Sequence, residues 1–263
     1  MSSAGRRVGC GTGCAGAIVL SVILVVAVVG WSLSFLEDPT PIPTRQPIAN
    51  DVPPARAEAV PEIDIHATGR TSDQLAFWAD PIAAEAGFSS PALRAYANAE
   101  LIAAQSWPEC HLSWGTLAGI GYVETRHGTY SGSLFSARVI DDKGYVQPPI
   151  VGIALDGSPG FAEIQDTDNG KLDGDTQFDR AVGPMQFIPT SWARFGRDAN
   201  GDGVADPNQI DDAALSAANL LCSGRDLATE EGWTDAIRAY NNSQDYVNKV
   251  RDAAANYALG QSA

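Results

Sequence analysis

One carboxylate in this sequence sits where a proton-transfer group would be built. In GYVETRHG, residues 121–128, Glu124 stands among small and apolar residues, and the run stops at Gly128. Leu117, Ile120, Gly121 and Glu124 are spaced three, one and three apart, which sets them along one stripe of a helix. The carboxyl then points to the packed side. It also falls in the last helical turn, where the negative end of the helix dipole disfavours an anion. Desolvation and dipole act in the same direction and raise the pKa, as a general acid near neutral pH requires. Spacing alone leaves a second reading equally open, in which Glu124 pairs with Arg126 or His127 on an exposed turn.

A second group has the spacing of metal ligands. Residues 198–212 read DANGDGVADPNQIDD, like the first half of an EF-hand: Asp198, Asn200 and Asp202 alternate, then Gly203 supplies the sharp turn. Val204 would offer its backbone carbonyl. Gln209 stands where the bidentate Glu of a standard loop belongs, and Asp212, expected to cap the next helix, follows it. Hard oxygen donors favour calcium in a structural role over an ordinary Asp/Asn/Gly turn. DTDNGKLDGD, residues 166–175, also alternates acids but lacks a closing ligand, and reads as a solvated acidic loop. His66, His111 and His127 are scattered and suggest no zinc site.

Helices must position these groups. SDQLAFWADPIAAEAG (72–87) opens on a Ser/Asp cap signal and ends at glycine. SSPALRAYANAELIAAQS (89–106) has Pro91 in its first turn, with Leu93, Tyr96, Ala97 and Leu101 on one face. The Glu124 helix follows, with Ser113 as its N-cap. After a Gly/Asp-rich stretch at 129–184, helical patterns return at 190–196, 212–224, 234–242 and 243–260. Strand-like alternation is confined to 137–140 and 146–153. The reading is a mainly α domain with a loop-rich insert.

The chain has 263 residues, 44% of them apolar, and a formal net charge of −15. That charge argues against nucleic acid, whose phosphates need clustered Lys and Arg. Residues 15–36 carry no charge, and 22 residues of helix cover roughly 33 Å, about one hydrocarbon core. Arg6 and Arg7 precede this run while Glu37 and Asp38 follow it. The expectation is therefore a signal anchor, with 1–14 cytoplasmic and the remainder outside. A cleaved signal peptide is the competing reading, although its apolar region is usually only about 7–15 residues. Residues 37–71 contain seven prolines and read as a disordered spacer. GTGCAG (11–16) fits a dinucleotide-loop pattern, but no strand precedes it. Cys110 and Cys222 both fall in the external part, where an oxidising compartment favours a disulfide over two buried free thiols.

GYVETRHG, then AVGPMQFIPTSW (181–192), then Tyr240-Asn241 occur in that order. Together they resemble lytic murein transglycosylases, specifically those similar to membrane-bound lytic murein transglycosylase B, in a style that looks actinobacterial. The likeness extends over about residues 72–257. It implies a lysozyme-like fold at 72–258, followed by a short tail at 259–263, and it makes Glu124 the single catalytic residue. The reaction implied is cleavage of the β-1,4 bond from N-acetylmuramic acid to N-acetylglucosamine in peptidoglycan, leaving a 1,6-anhydro ring. The resemblance also implies that the Gln186 amide contacts the glycan, that Met185 and Phe187 shape the wall, that Tyr240 stands near Glu124, and that Tyr240 and Asn241, which close a helix, belong to the substrate site; core packing after Ile237 is the competing reading of Tyr240. Relatives carry a calcium loop of the longer kind seen at 198–212, which assigns Asp198, Asn200, Asp202, Val204 and Asp212 to the ion. The chain departs from better-known members at QFDRAVG (177–183), where those carry small residues, so contacts assigned to that segment do not transfer. Asp179 leaves room for a second carboxylate and hence for a hydrolytic muramidase. A non-catalytic glycan-binding scaffold of the cell envelope is the alternative from another class. The partners expected are glycan strands and, through the N-terminal helix, a membrane.

Overall fold

The computed structural model describes residues 45–130 and 138–263. The expected anchor at 15–36 lies outside the described residues; among those described, no helix is long and apolar enough to cross a membrane. Residues Gln46–Ala263 form one compact unit.

Local signals set most helix ends. A 3-10 turn at Thr71–Leu75 leads into α1 (Ala76–Ala86), which stops at Gly87 in the left-handed conformation that favours glycine. α2 (Ser90–Ser106) starts with Pro91 in its first turn, where a missing N–H costs nothing. α3 (Trp114–Thr125) is capped by the Ser113 side chain, which accepts from Gly115 N. After the insert come α4 (Pro189–Phe195), α5 (Ile210–Leu221), α6 (Glu230–Tyr240) and α7 (Gln244–Ala258). Thr229 caps α6 and Ser243 caps α7 through their hydroxyls.

Packing then orders these pieces. All residues of α5 are buried, and α2, α3, α4 and α6 all contact it. α3 lies in a trough between α2 and α7. Its glycines make that approach possible: a Cβ on Gly119 would come within 2.6 Å of the Val250 carbonyl on α7. In a free helix each glycine costs about 1 kcal/mol relative to alanine; here it admits a neighbouring backbone. The disulfide Cys110–Cys222 ties the turn before α3 to the end of α5, with a Cα–Cα distance of 5.2 Å.

The insert is sparse in regular structure, as its composition suggests. β1 (Val139–Ile140) pairs antiparallel with β2 (Val146–Gln147), and β3 (Val151–Ala154) with β4 (Arg180–Val182). The single strand-like run at 146–153 is split between two sheets, because Pro148 and Pro149 cannot donate to a ladder.

One expectation is corrected. Residues 46–70 have no helix or strand, but they are no disordered spacer. Val52, Ala57, Val60 and Ile63 pack against the core. Arg56 pairs with Glu100 at 2.7 Å and donates to the carbonyl of Leu112, and the Glu58 carbonyl accepts from Trp114 Nε1 at 2.8 Å. Low apolar periodicity hid this packing, since an extended segment can bury a few isolated side chains without showing any helical or strand repeat.

Candidate active site

Glu124 sits in the last turn of α3, half-buried. Burial pushes its carboxyl up to about 7, and a hydrogen bond from Tyr246 Oη to Oε1 at 2.6 Å lowers it in part. Arg126 and His127 are not its partners. Arg126 folds back over the Tyr122 ring, 3.8 Å from its centre, and donates to the Tyr122 carbonyl. His127 is buried between two phenols, 3.3 Å from Tyr96 Oη and 2.8 Å from Tyr257 Oη, with Phe88 stacked on its ring. Burial, aided by the Arg126 charge, drives the imidazole down to about 3, so it is neutral. The exposed-pair alternative therefore fails, because Arg126 and His127 are both engaged elsewhere.

Tyr246 was not legible as a site residue. It lies 122 positions from Glu124 and reads as an ordinary apolar-face position of α7. Tyr240, expected beside Glu124, stacks on Tyr246 with ring centres 6.4 Å apart and donates its hydroxyl to the Met185 carbonyl at 2.6 Å. Burial, with the Glu124 charge next, holds the Tyr240 phenol well above its usual range. Asn241 is exposed at the end of α6.

The turn 183–187 is built as the glycine and proline suggest. Gly183 and Gln186 both take left-handed φ values, 75° and 50°, and the Gly183 carbonyl accepts from both Gln186 N and Nε2. Thr125 Oγ1 donates to the Pro184 carbonyl at 2.6 Å, which joins this turn to the end of α3. Met185 and Phe187 are fully packed beneath it, Phe187 between Trp192 and Tyr240. They lie beneath the turn and do not form its surface, whereas Gln186 is half-buried with its amide folded back on the Gly183 carbonyl.

The acidic segments are ordered. Asp179 is fully buried, and its two oxygens accept from Thr167 N and Thr167 Oγ1, so it braces the 166–175 loop. Asp166, Asp168 and Asp179 each bring one oxygen within 4.8 Å of the others. The solvated loop expected at 166–175 is thus a tied one: Asp168 accepts from Lys171 N and Leu172 N, and Asp175 from the Arg180 guanidinium.

In 198–212, Asp198 accepts from Gly201 N and Gly203 N, Asp202 from Val204 N, and Asn200 Oδ1 from Asp202 N. Asp212 is not the helix cap; Gln209 is, accepting from Asp212 N at 2.9 Å. Asp212 turns back into the loop and accepts from the amides of Ala199, Asn200 and Asp206. Burial raises its carboxyl to about 7; the loop amides offset part of that rise and the Asp198 charge adds to it. Among the described residues the acids that gather closely enough for an ion are Asp166, Asp168 and Asp179, whereas the carboxylates of 198–212 are held by loop amides. A cavity of about 430 Å³ between this loop and 166–175, lined by Leu172, Trp192 and Asn208, is not lined by Glu124.

No curated protein and no solved structure matches the chain. Residues 166–254 match the family model described as "Transglycosylase SLT domain"; they carry Gln186, Tyr240, Asn241 and Tyr246, while Glu124 precedes them.

Proposed function

We propose that this chain is a lytic transglycosylase that cleaves the β-1,4 bond between N-acetylmuramic acid and N-acetylglucosamine in peptidoglycan, leaving 1,6-anhydro-N-acetylmuramic acid. The observation that carries the reading is Glu124: one carboxyl, pushed up to about 7 by burial, hydrogen-bonded by Tyr246 and joined to the Gln186 turn through the adjacent Thr125. Protonated Glu124 donates to the departing glycosidic oxygen. Its carboxylate then takes the proton from the muramyl C6 hydroxyl as that oxygen attacks C1. Intramolecular attack supplies a high effective molarity, so the second carboxylate of ordinary glycosidases is dispensable. Two observations favour this over hydrolysis. Burial raises Glu124 with no acid among the causes of the shift, and Asp179, the second carboxylate that the sequence suggested, has both oxygens bonded to Thr167.

Digested cell-wall sacculi analysed by mass spectrometry test the reading. Anhydro-muropeptides support it; reducing muropeptides would make the protein a muramidase, and the absence of any product would leave a glycan-binding scaffold. The Tyr246 hydroxyl stabilises the charged form of Glu124, so Tyr246→Phe should raise the carboxyl pKa above about 7. Activity needs the protonated acid and falls as pH rises through that value. The alkaline limb of the rate profile should therefore move to higher pH in the variant, and an unmoved limb would contradict the role given to this bond.

The same reading assigns calcium to Asp198, Asn200, Asp202, the Val204 carbonyl and Asp212, where bound charge would hold the loop against α5. Chelation should lower the melting temperature and added calcium restore it; an unchanged melting curve would remove the assignment. The uncharged run at 15–36 after Arg6 and Arg7 supports a membrane anchor with the domain outside the cytoplasm, and the disulfide is consistent with that compartment.

A further inference from the structure

The chain turns out of its helix immediately after Glu124, and the Thr125 side chain ties that segment to the Gln186 turn. Arg126 and His127 both adopt left-handed φ values, 52° and 58°, and Gln186 does so at 50°. Non-glycine residues persist in that region only where their surroundings hold them. Thr125 lies between Glu124 and that segment, and its side chain is buried. Its Oγ1 accepts from Gly128 N at 2.8 Å, which closes the segment, and donates to the Pro184 carbonyl at 2.6 Å, which fixes the turn. The rest of the turn is gripped elsewhere, by Tyr240 Oη at the Met185 carbonyl and by Pro207, whose carbonyl leaves no room for a Cβ on Gly183. Thr125 is the hydroxyl that couples the turn to the helix of the acid.

We propose that Thr125 is a positioning residue, whose hydroxyl sets the register between the Glu124 carboxyl and the Gln186 turn by bonding both the segment after α3 and the Pro184 carbonyl. The proposal rests on the reading of Glu124 as the acid. Valine has the shape of threonine without the hydroxyl, whereas serine keeps the hydroxyl and loses a methyl. A displacement of about 1 Å between reacting groups can cost roughly 100-fold in rate. Thr125→Val should therefore lower kcat by about 10- to 100-fold, with KM for glycan strands changed much less, at a temperature where circular dichroism shows it folded. Thr125→Ser should stay within about threefold of the parent, since the hydroxyl bonds survive. Amide hydrogen exchange gives a readout that needs no activity: exchange at Gly128 and Gln186 should quicken in the Val variant and not in the Ser variant.

A folded Val variant with parental kcat, a Ser variant as slow as the Val variant, or unaltered exchange at both amides would overturn the proposal. Should Thr125→Val not fold, Thr125→Cys, a poor donor of similar size, takes its place in the same comparison. If the parent releases no anhydro product, the catalytic reading falls, and the exchange experiment still decides whether Thr125 couples the two segments.

Discussion

Glu124→Gln should yield a folded protein that binds glycan strands and releases no anhydro-muropeptides. The amide oxygen of glutamine can still accept the Tyr246 hydroxyl bond, so the geometry at the end of α3 survives. The proton does not. A positioned acid or base is typically worth about 10²- to 10⁴-fold, and this carboxyl serves in both capacities, so the loss should reach at least about 10³-fold. The same substitution should change stability in a pH-dependent way. The folded state holds the carboxyl near 7, above its ordinary 4.5, so between those values the folded protein binds more protons than the unfolded chain. Stability of the parent therefore falls as pH rises from about 4.5 to about 7, and the loss is complete above that. Glutamine removes the penalty. The variant should melt higher than the parent at pH 8, with the advantage shrinking towards pH 4.5. Residual anhydro product at the parental rate would end the catalytic assignment, and a variant that melts lower at pH 8 would contradict the buried-acid account.

Removing the disulfide should produce the largest loss of stability of any pair of side chains discussed above. Cys110 and Cys222 are 112 positions apart, and closing a loop of that order restricts the unfolded chain by about 4–5 kcal/mol in the chain-entropy description. For a domain of this size that corresponds to roughly 10–15 °C in melting temperature. The double variant Cys110→Ala, Cys222→Ala avoids leaving a buried hydroxyl, because both sulfurs lie in the core. The bridge also holds the turn before α3, where the Cys110 carbonyl accepts from Leu227 N. Loosening should therefore spread to the helix of the acid and lower activity before global melting. Equal melting temperatures for the oxidised parent and the double variant would show that packing alone secures this junction.

Which features were legible before any coordinates follows from the range of the forces involved. The starts of α2, α3 and α7 could be read because proline in a first turn and the hydroxyls of Ser113 and Ser243 act within three residues; α6 begins four residues before the expected 234, where Thr229 caps it. The stripe that Glu124 shares with Leu117, Ile120 and Gly121 could be read because helical periodicity is local. The insert could be recognised as irregular from its glycines and acids.

Other features depended on residues brought together from far apart. Spacing left Glu124 undecided between a buried acid and an exposed pair; only folding placed Tyr246 on its carboxyl and locked His127 between Tyr96 and Tyr257. Asp212 looks like a cap by position, yet the loop amides claim its carboxylate and leave Gln209 to cap α5. The stretch 46–70 looks like a tether by composition, yet Arg56 finds Glu100 and Trp114 finds the Glu58 carbonyl. By itself, then, the sequence determined most of the helices, the stripe on which the candidate acid stands and the oxygen-rich loop, since each depends on neighbours within a few residues. The tertiary structure decided which groups meet the acid and which stand aside, because hydrogen bonds and burial between distant segments exist only once α2, α3 and α7 have packed.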